Sequence, residues 1–159
     1  MWTVIDSPIG ELRLVAQHDA ITAIEFSPFR DSDGRVRGPR EDTHPVLAET
    51  ARQLTAYFAG DLKEFDLPLA PVGSEFQQRV WKELLEIGYG DTATYGQVAH
   101  RIGRTNAASR AVGLANGSNP IPIVIPCHRV IGANGTLTGY AGGLERKQIL
   151  LQLEQEALF

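Results

Sequence analysis

Residues 119–132 read Asn119-Pro120-Ile121-Pro122-Ile123-Val124-Ile125-Pro126-Cys127-His128-Arg129-Val130-Ile131-Gly132. Prolines alternating with branched apolar residues exclude a helix, because each proline lacks an amide donor and clashes with the turn before it. The pattern predicts a stiff, extended and buried segment that delivers Cys127 and His128 to a fixed place. Cys127 is the single cysteine in 159 residues, which excludes an internal disulfide and any multi-cysteine zinc or iron–sulfur centre. Its thiol is therefore either a small buried hydrophobe or a reagent. A reagent would need help, since a free thiol of pKa about 8.5 is only a few per cent ionised at neutral pH. His128 is the adjacent base, provided an acceptor holds its other ring nitrogen. A carboxylate suits that role. Glu154, on the last predicted helix with Leu150, Leu151 and Leu153, is a candidate, although its spacing equally fits a solvated charge.

Outward from this segment, the preceding sequence carries helix start signals. Ser74 with Gln77, and Thr94 with Gln97, match the capping box, in which a hydroxyl and an amide satisfy free amides of a first turn. Phe76, Val80 and Leu84 mark the core face of a helix ending near Gly88. A helix from Tyr95 to Ile102 closes at Gly103, and another starts near Thr105 or Asn106 and runs to about Asn116. Two short helices about a glycine-containing corner have the layout of a helix-turn-helix. The second helix offers Ala107, Ala108, Ser109, Arg110, Ala111 and Gly113, almost without side chains able to read base edges, so sequence-specific major-groove binding is not expected. Small residues allow close approach to a surface, with Arg110 as the one long cationic reach. The same pattern also suits tight helix packing with Arg110 in a surface ion pair.

The first third reads as short strands, Trp2 to Ile5, Leu12 to Val15 and Ile21 to Phe26, with a turn at Ser7-Pro8-Ile9-Gly10. A polar stretch from Ser27 to His44 is expected to be a mobile surface loop. Pro45 opens a helix carrying Leu47, Ala51, Leu54 and Phe58, and Gly60 stops it. The expected organisation is an α/β amino-terminal domain of a small sheet plus helix at 1–67, a linker at 68–73, and a mainly helical carboxy-terminal domain with a helix-turn-helix at 74–159. The net charge of -4 looks wrong for a nucleic-acid protein, but its distribution matters more. Between Thr92 and Leu144 there is no acidic residue, whereas Arg101, Arg104, Arg110, Arg129, His100 and His128 are present. No apolar run approaches the roughly 20 residues of a membrane span and no signal-peptide layout opens the chain, so a cytoplasmic protein without membrane contact is expected.

Pro126-Cys127-His128-Arg129-Val130 resembles the active-site motif of the O6-alkylguanine-DNA alkyltransferase family, and the likeness extends over Ser74 to Glu154. Phe76-Gln77-Gln78-Arg79-Val80-Trp81, Arg110-Ala111-Val112-Gly113, Asn119-Pro120 and Gly139-Tyr140-Ala141-Gly142-Gly143-Leu144 are similar to further family stretches, in the same order. The resemblance implies direct-reversal repair, with one irreversible transfer of an alkyl group from O6 of guanine, or O4 of thymine, to Cys127. It makes His128 the water-mediated base and Glu154 the carboxylate that orients it. Asn119 would brace the turn before the acceptor segment, and Tyr95 would donate a hydrogen bond to guanine N3. Arg110 would enter the stack of double-stranded DNA from the minor groove and replace the flipped nucleotide. Pro122, Tyr140 and Ala141 would line the pocket with the backbone around Cys127 and Val130. The resemblance implies no cofactor or metal, and a monomer that acts alone or cooperatively along DNA. Ala141 stands where some members carry serine, so only its backbone amide donates there, and the Tyr95 to Arg110 spacing is one residue longer than in some relatives.

Two other functions fit parts of the pattern. A Cys–His hydrolase would use Cys127 against a carbonyl, with an oxyanion hole from Gly132 to Gly143, but leaves the helix-turn-helix unexplained. A non-catalytic DNA-damage binding module would leave Cys127 without a task.

Overall fold

The computed structural model describes residues 1–157, arranged as two compact units that divide between Pro71 and Val72. In the first, β1 (Trp2–Ile5), β2 (Leu12–Gln17) and β3 (Ala20–Phe26) form an antiparallel meander in that order. The turn between β1 and β2 closes where Gly10 adopts φ +97°, a left-handed conformation that suits glycine, and donates to Ser7 O at 3.1 Å. Helix α1 (Pro45–Phe58) packs on the sheet. Leu12, Leu14, Ile21, Leu47, Leu54 and Tyr57 are fully buried and form the core of this unit. Proline at the first turn starts α1, and Gly60, at φ +80°, turns the chain away at its end.

The 27–44 stretch is exposed over most of its length, as expected of a surface loop, and is held by side-chain and backbone bonds. Arg37 bonds both Glu25 and Asp33, Glu25 is shared with Arg13, and the backbone at Pro39 and Glu41 brackets Trp2. Alternation and polarity along the chain do not reveal that two arginines converge on one buried-edge carboxylate. The stretch read as a linker is also partly structural, because Leu69 bridges to Ile21, with Ile21 N donating to Pro68 O and Ala70 N to Ile21 O at 2.8 Å each.

The second unit is helical, with a two-stranded parallel pair. Its elements are α2 (Glu75–Leu84), β4 (Ala93–Thr94), α3 (Tyr95–Arg101), α4 (Ser109–Gly117), β5 (Val130–Ile131) and α5 (Leu144–Glu156). Both capping boxes form as the sequence indicates, Ser74 with Gln77 and Thr94 with Gln97. Helix α2 ends at Leu84, short of Gly88, and buries Val80, Trp81 and Leu84. Phe76 is only half-buried, beneath the Arg104 guanidinium. Trp81 Nε1 donates to Ala115 O at 2.8 Å, which ties α2 to the end of α4. Helices α3 and α4 pack together across a connection that contains a single 3₁₀ turn, Asn106–Ala108. β4 pairs with β5, so the start of α3 lies beside the residues that follow Cys127. Among the described residues no helix is long and apolar enough to cross a membrane.

Candidate active site

The segment from Asn119 to Val130 is buried throughout except at Pro120, but it is not extended. It folds into consecutive turns because its prolines cannot donate to a sheet, and the side chain of Asn119 supplies the missing order. Asn119 Oδ1 accepts from Ile121 N at 3.0 Å, and Nδ2 donates to Ile125 O at 2.8 Å. Ile125 N returns to Ile121 O at 3.0 Å, and the turn places Ile123 at φ +73°, an unusual conformation for a branched residue that the surrounding packing enforces. Pro122 lies buried inside this turn. Cys127–Arg129 then forms a single 3₁₀ turn, and Asn116 Nδ2, from the end of α4, donates to Cys127 O at 3.2 Å. Asn119 thus occupies the bracing place expected of it, and Asn116 adds a link that the sequence reading missed.

Helix α5 presents Glu154, 1% exposed, to this turn. His128 Nε2 and Glu154 Oε2 are 2.7 Å apart. The same carboxylate accepts from Arg129 Nε and Nη2 at 2.9 Å each, while Arg129 Nη1 donates to Ile87 O at 2.6 Å. Burial would raise the Glu154 pKa, but the bonds from His128 and Arg129 outweigh it and lower the pKa to about 2. Glu154 is therefore an anion and can only accept, so the shared proton sits on His128 Nε2. Burial lowers the His128 pKa, against the pull of Glu154, and the resting imidazole is neutral. Its Nδ1 keeps a lone pair and has no hydrogen-bond partner among the described residues.

Cys127 is 3% exposed, and burial pushes its thiol up to about 11 despite opposing effects from Asn119, Lys147 and Tyr140. The resting sulfur is a protonated thiol. Lys147 is fully buried on α5, its own pKa lowered by burial, and it donates to Val130 O at 2.6 Å and Thr138 O at 3.2 Å. No signal of period or spacing distinguished it from a surface lysine.

The remaining candidates fall into two groups. Tyr140 is half-buried within reach of the thiol, Val130 is buried, and Ala141 is exposed. Tyr95, at the start of α3, bonds through its hydroxyl to Thr138 Oγ1. On the 3₁₀ turn and α4, Ala107, Arg110 and Ala111 are exposed, while Ala108, Ser109 and Gly113 are half-buried. Arg110 has no ion-pair partner among the described residues, contrary to the surface-pair alternative. Arg129 and His128, counted among the basic residues of the acid-free stretch, are buried, as the segment carrying them was expected to be, and belong to the carboxylate cluster. The exposed basic groups of that stretch are His100, Arg101, Arg104 and Arg110.

Comparison with known proteins bears on what this cluster is. Residues 75–156 match the family model of the 6-O-methylguanine DNA methyltransferase DNA binding domain, and residues 1–71 match that of the accompanying ribonuclease-like domain. The chain belongs to the 6-O-methylguanine DNA methyltransferase family. It is 52% identical over 159 residues to a methylated-DNA–protein-cysteine methyltransferase of Mycolicibacterium paratuberculosis, covering 97% of this chain and 92% of that one. It is 49% identical to a protein of the same name from Methanosarcina acetivorans, covering 96% and 97%. The solved O6-methylguanine methyltransferase of Mycobacterium tuberculosis superposes with a TM-score of 0.89 at 48% identity, over 98% of this chain and 93% of that one. The same relative in complex with DNA gives 0.87. Membership in the methyltransferase family sets the hydrolase and the non-catalytic module aside.

A buried, protonated thiol has a measurable consequence. The rate of carboxamidomethylation of Cys127 should rise about tenfold per pH unit through pH 9 without a plateau, because only the thiolate reacts. A plateau below pH 8 would mean that a thiolate exists at rest.

Proposed function

We propose that this chain repairs alkylated DNA by direct reversal, moving one alkyl group from the O6 of guanine to Cys127 irreversibly. The observation that carries this reading is the protonated Cys127 next to a neutral His128 whose Nε2–H is held by Glu154, in a chain of this family. His128 Nδ1 takes the thiol proton through a water, and the imidazolium that forms is stabilised by the buried carboxylate. The sulfur electron pair forms the S–C bond, and the C–O6 bond breaks with its pair passing to the purine. A hydrogen bond from Tyr95 to N3 holds that charge until the purine takes a proton from water, while His128 returns its proton to solvent. The product is a thioether with no water-labile carbonyl, so one molecule performs one transfer. The same chemistry extends to O4 of thymine.

The partner in this reading is duplex DNA, which the solved complex of a relative supports. O6 cannot be attacked in line while the base is stacked, so the nucleotide must leave the helix. An exposed Arg110 flanked by Ala107 and Ala111 suits close approach through the minor groove, with the guanidinium filling the vacated place in the stack. Pro122, Tyr140 and the Ala141 amide would shape the pocket, and a monomer suffices for the chemistry.

Incubation with duplex DNA containing O6-methylguanine should add one methyl mass to the protein, mapped to Cys127 by mass spectrometry, with no further turnover. Repeated turnover or modification elsewhere would overturn the reading. Arg110→Ala should slow transfer from duplex DNA by about tenfold or more, because unstacking costs a few kcal/mol that nothing then offsets. Its rate with free O6-benzylguanine should stay near that of the parent. Equal losses on both substrates would mean that Arg110 supports the pocket rather than flipping.

A further inference from the structure

Tyr95 is the first residue of α3, and its ring lies against α4, where a Cβ built on Gly113 would meet Tyr95 Cδ1 and Cε1 at 3.7 Å each. Gly113, without a side chain, leaves the ring its place there, and the hydroxyl is bonded to Thr138 Oγ1 in the loop between β5 and α5. The loop is itself held at this residue. Lys147 Nζ donates to Thr138 O at 3.2 Å and to Val130 O at 2.6 Å. Lys147 is fully buried and has no carboxylate partner among the described residues, so its ammonium serves the two carbonyls. A continuous set of bonds therefore runs from the Tyr95 phenol through Thr138 and Lys147 to Val130, three residues beyond Cys127.

We propose that Thr138 is a positioning residue for departure of the purine, its hydroxyl aiming and polarising the Tyr95 phenol toward N3. The proposal rests on the reading of Tyr95 given above. A threonine hydroxyl carries one donor and two acceptor sites and can rotate between them. With no base bound, the phenol can donate its proton in a hydrogen bond to it. When that proton turns to N3, Thr138 rotates its own proton onto the phenol oxygen. Tyr95 keeps a full set of bonds in the state where negative charge reaches the purine, and a donor that is itself hydrogen-bonded donates more strongly. No proton leaves Thr138, so the transfer balances as written above.

The test compares single-turnover transfer from oligonucleotides carrying O6-methylguanine or 3-deaza-O6-methylguanine, in which a C–H replaces N3. Thr138→Val keeps the branched shape and removes the hydroxyl. It should slow transfer from O6-methylguanine about tenfold, the scale of one hydrogen bond, yet stay within about twofold of the parent on the 3-deaza substrate. Thr138→Ser, which retains the hydroxyl, should restore the O6-methylguanine rate to within about twofold. A loss of equal size on both substrates, or none on O6-methylguanine, would overturn the proposal, since a loosened loop would not discriminate N3. Tyr95→Phe on the same pair separates the two readings. A loss confined to O6-methylguanine in Tyr95→Phe but absent in Thr138→Val removes Thr138 alone. Equal losses in Tyr95→Phe remove the Tyr95 reading, and the proposal with it.

Discussion

The carboxylate of Glu154 is the constraint on which the acceptor site depends. A buried anion is costly unless it is paired and fully hydrogen-bonded, and Glu154 meets both conditions through Arg129 and His128. The division of labour follows from charge. Arg129 neutralises the anion with a two-pronged contact, which frees His128 to remain neutral while its Nε2–H is still held. A carboxylate facing histidine alone would pull more strongly toward imidazolium, and an imidazolium cannot accept a proton. The same cluster docks α5 onto the turn that carries Cys127, because its members come from opposite ends of a 25-residue span.

The rest of the site is built by holding backbone groups rather than by packing alone. Asn119 supplies both a donor and an acceptor to a turn whose prolines supply no amide hydrogen, Asn116 holds the Cys127 carbonyl, and Lys147 holds those of Val130 and Thr138. Buried polar groups satisfied in this way specify one arrangement of the chain, and a half-satisfied set would cost more than an apolar core. The thiol is consequently stored in its unreactive form. Burial keeps it protonated, and in the proposed reaction its activation waits on His128, whose Nε2–H Glu154 holds.

Much of this was legible in the sequence because it rests on local rules. Hydroxyl and amide three residues apart located the starts of α2 and α3, Pro45 and Gly60 bounded α1, and short apolar runs broken by a Ser7–Gly10 turn located the three strands. The adjacency of Cys127 and His128 pointed to the proposed chemistry, and family resemblance supplied Glu154, which spacing alone left as a solvated charge. What stayed hidden depends on contacts between distant residues. Arg129 counted only as one basic residue of an acid-free stretch because nothing local records that a carboxylate 25 positions away neutralises it. The proline-rich segment read as extended because prolines exclude helix and sheet alike, and only the Asn119 side chain decides in favour of turns. Lys147 and Thr138 escaped notice because a buried lysine that serves carbonyls has the same sequence surroundings as an exposed one.

Proton removal from Cys127 depends on the protonation state of His128. Nitrogen-15 NMR of histidine-labelled protein at pH 7, with His128 assigned through His128→Gln, reads both ring nitrogens directly. We expect a neutral ring with the proton on Nε2 and an unprotonated Nδ1, persisting below pH 6.5 because burial lowers the pKa. An imidazolium at pH 7, or a neutral ring protonated on Nδ1, would leave no lone pair on Nδ1 to receive the thiol proton and would contradict the proposed relay.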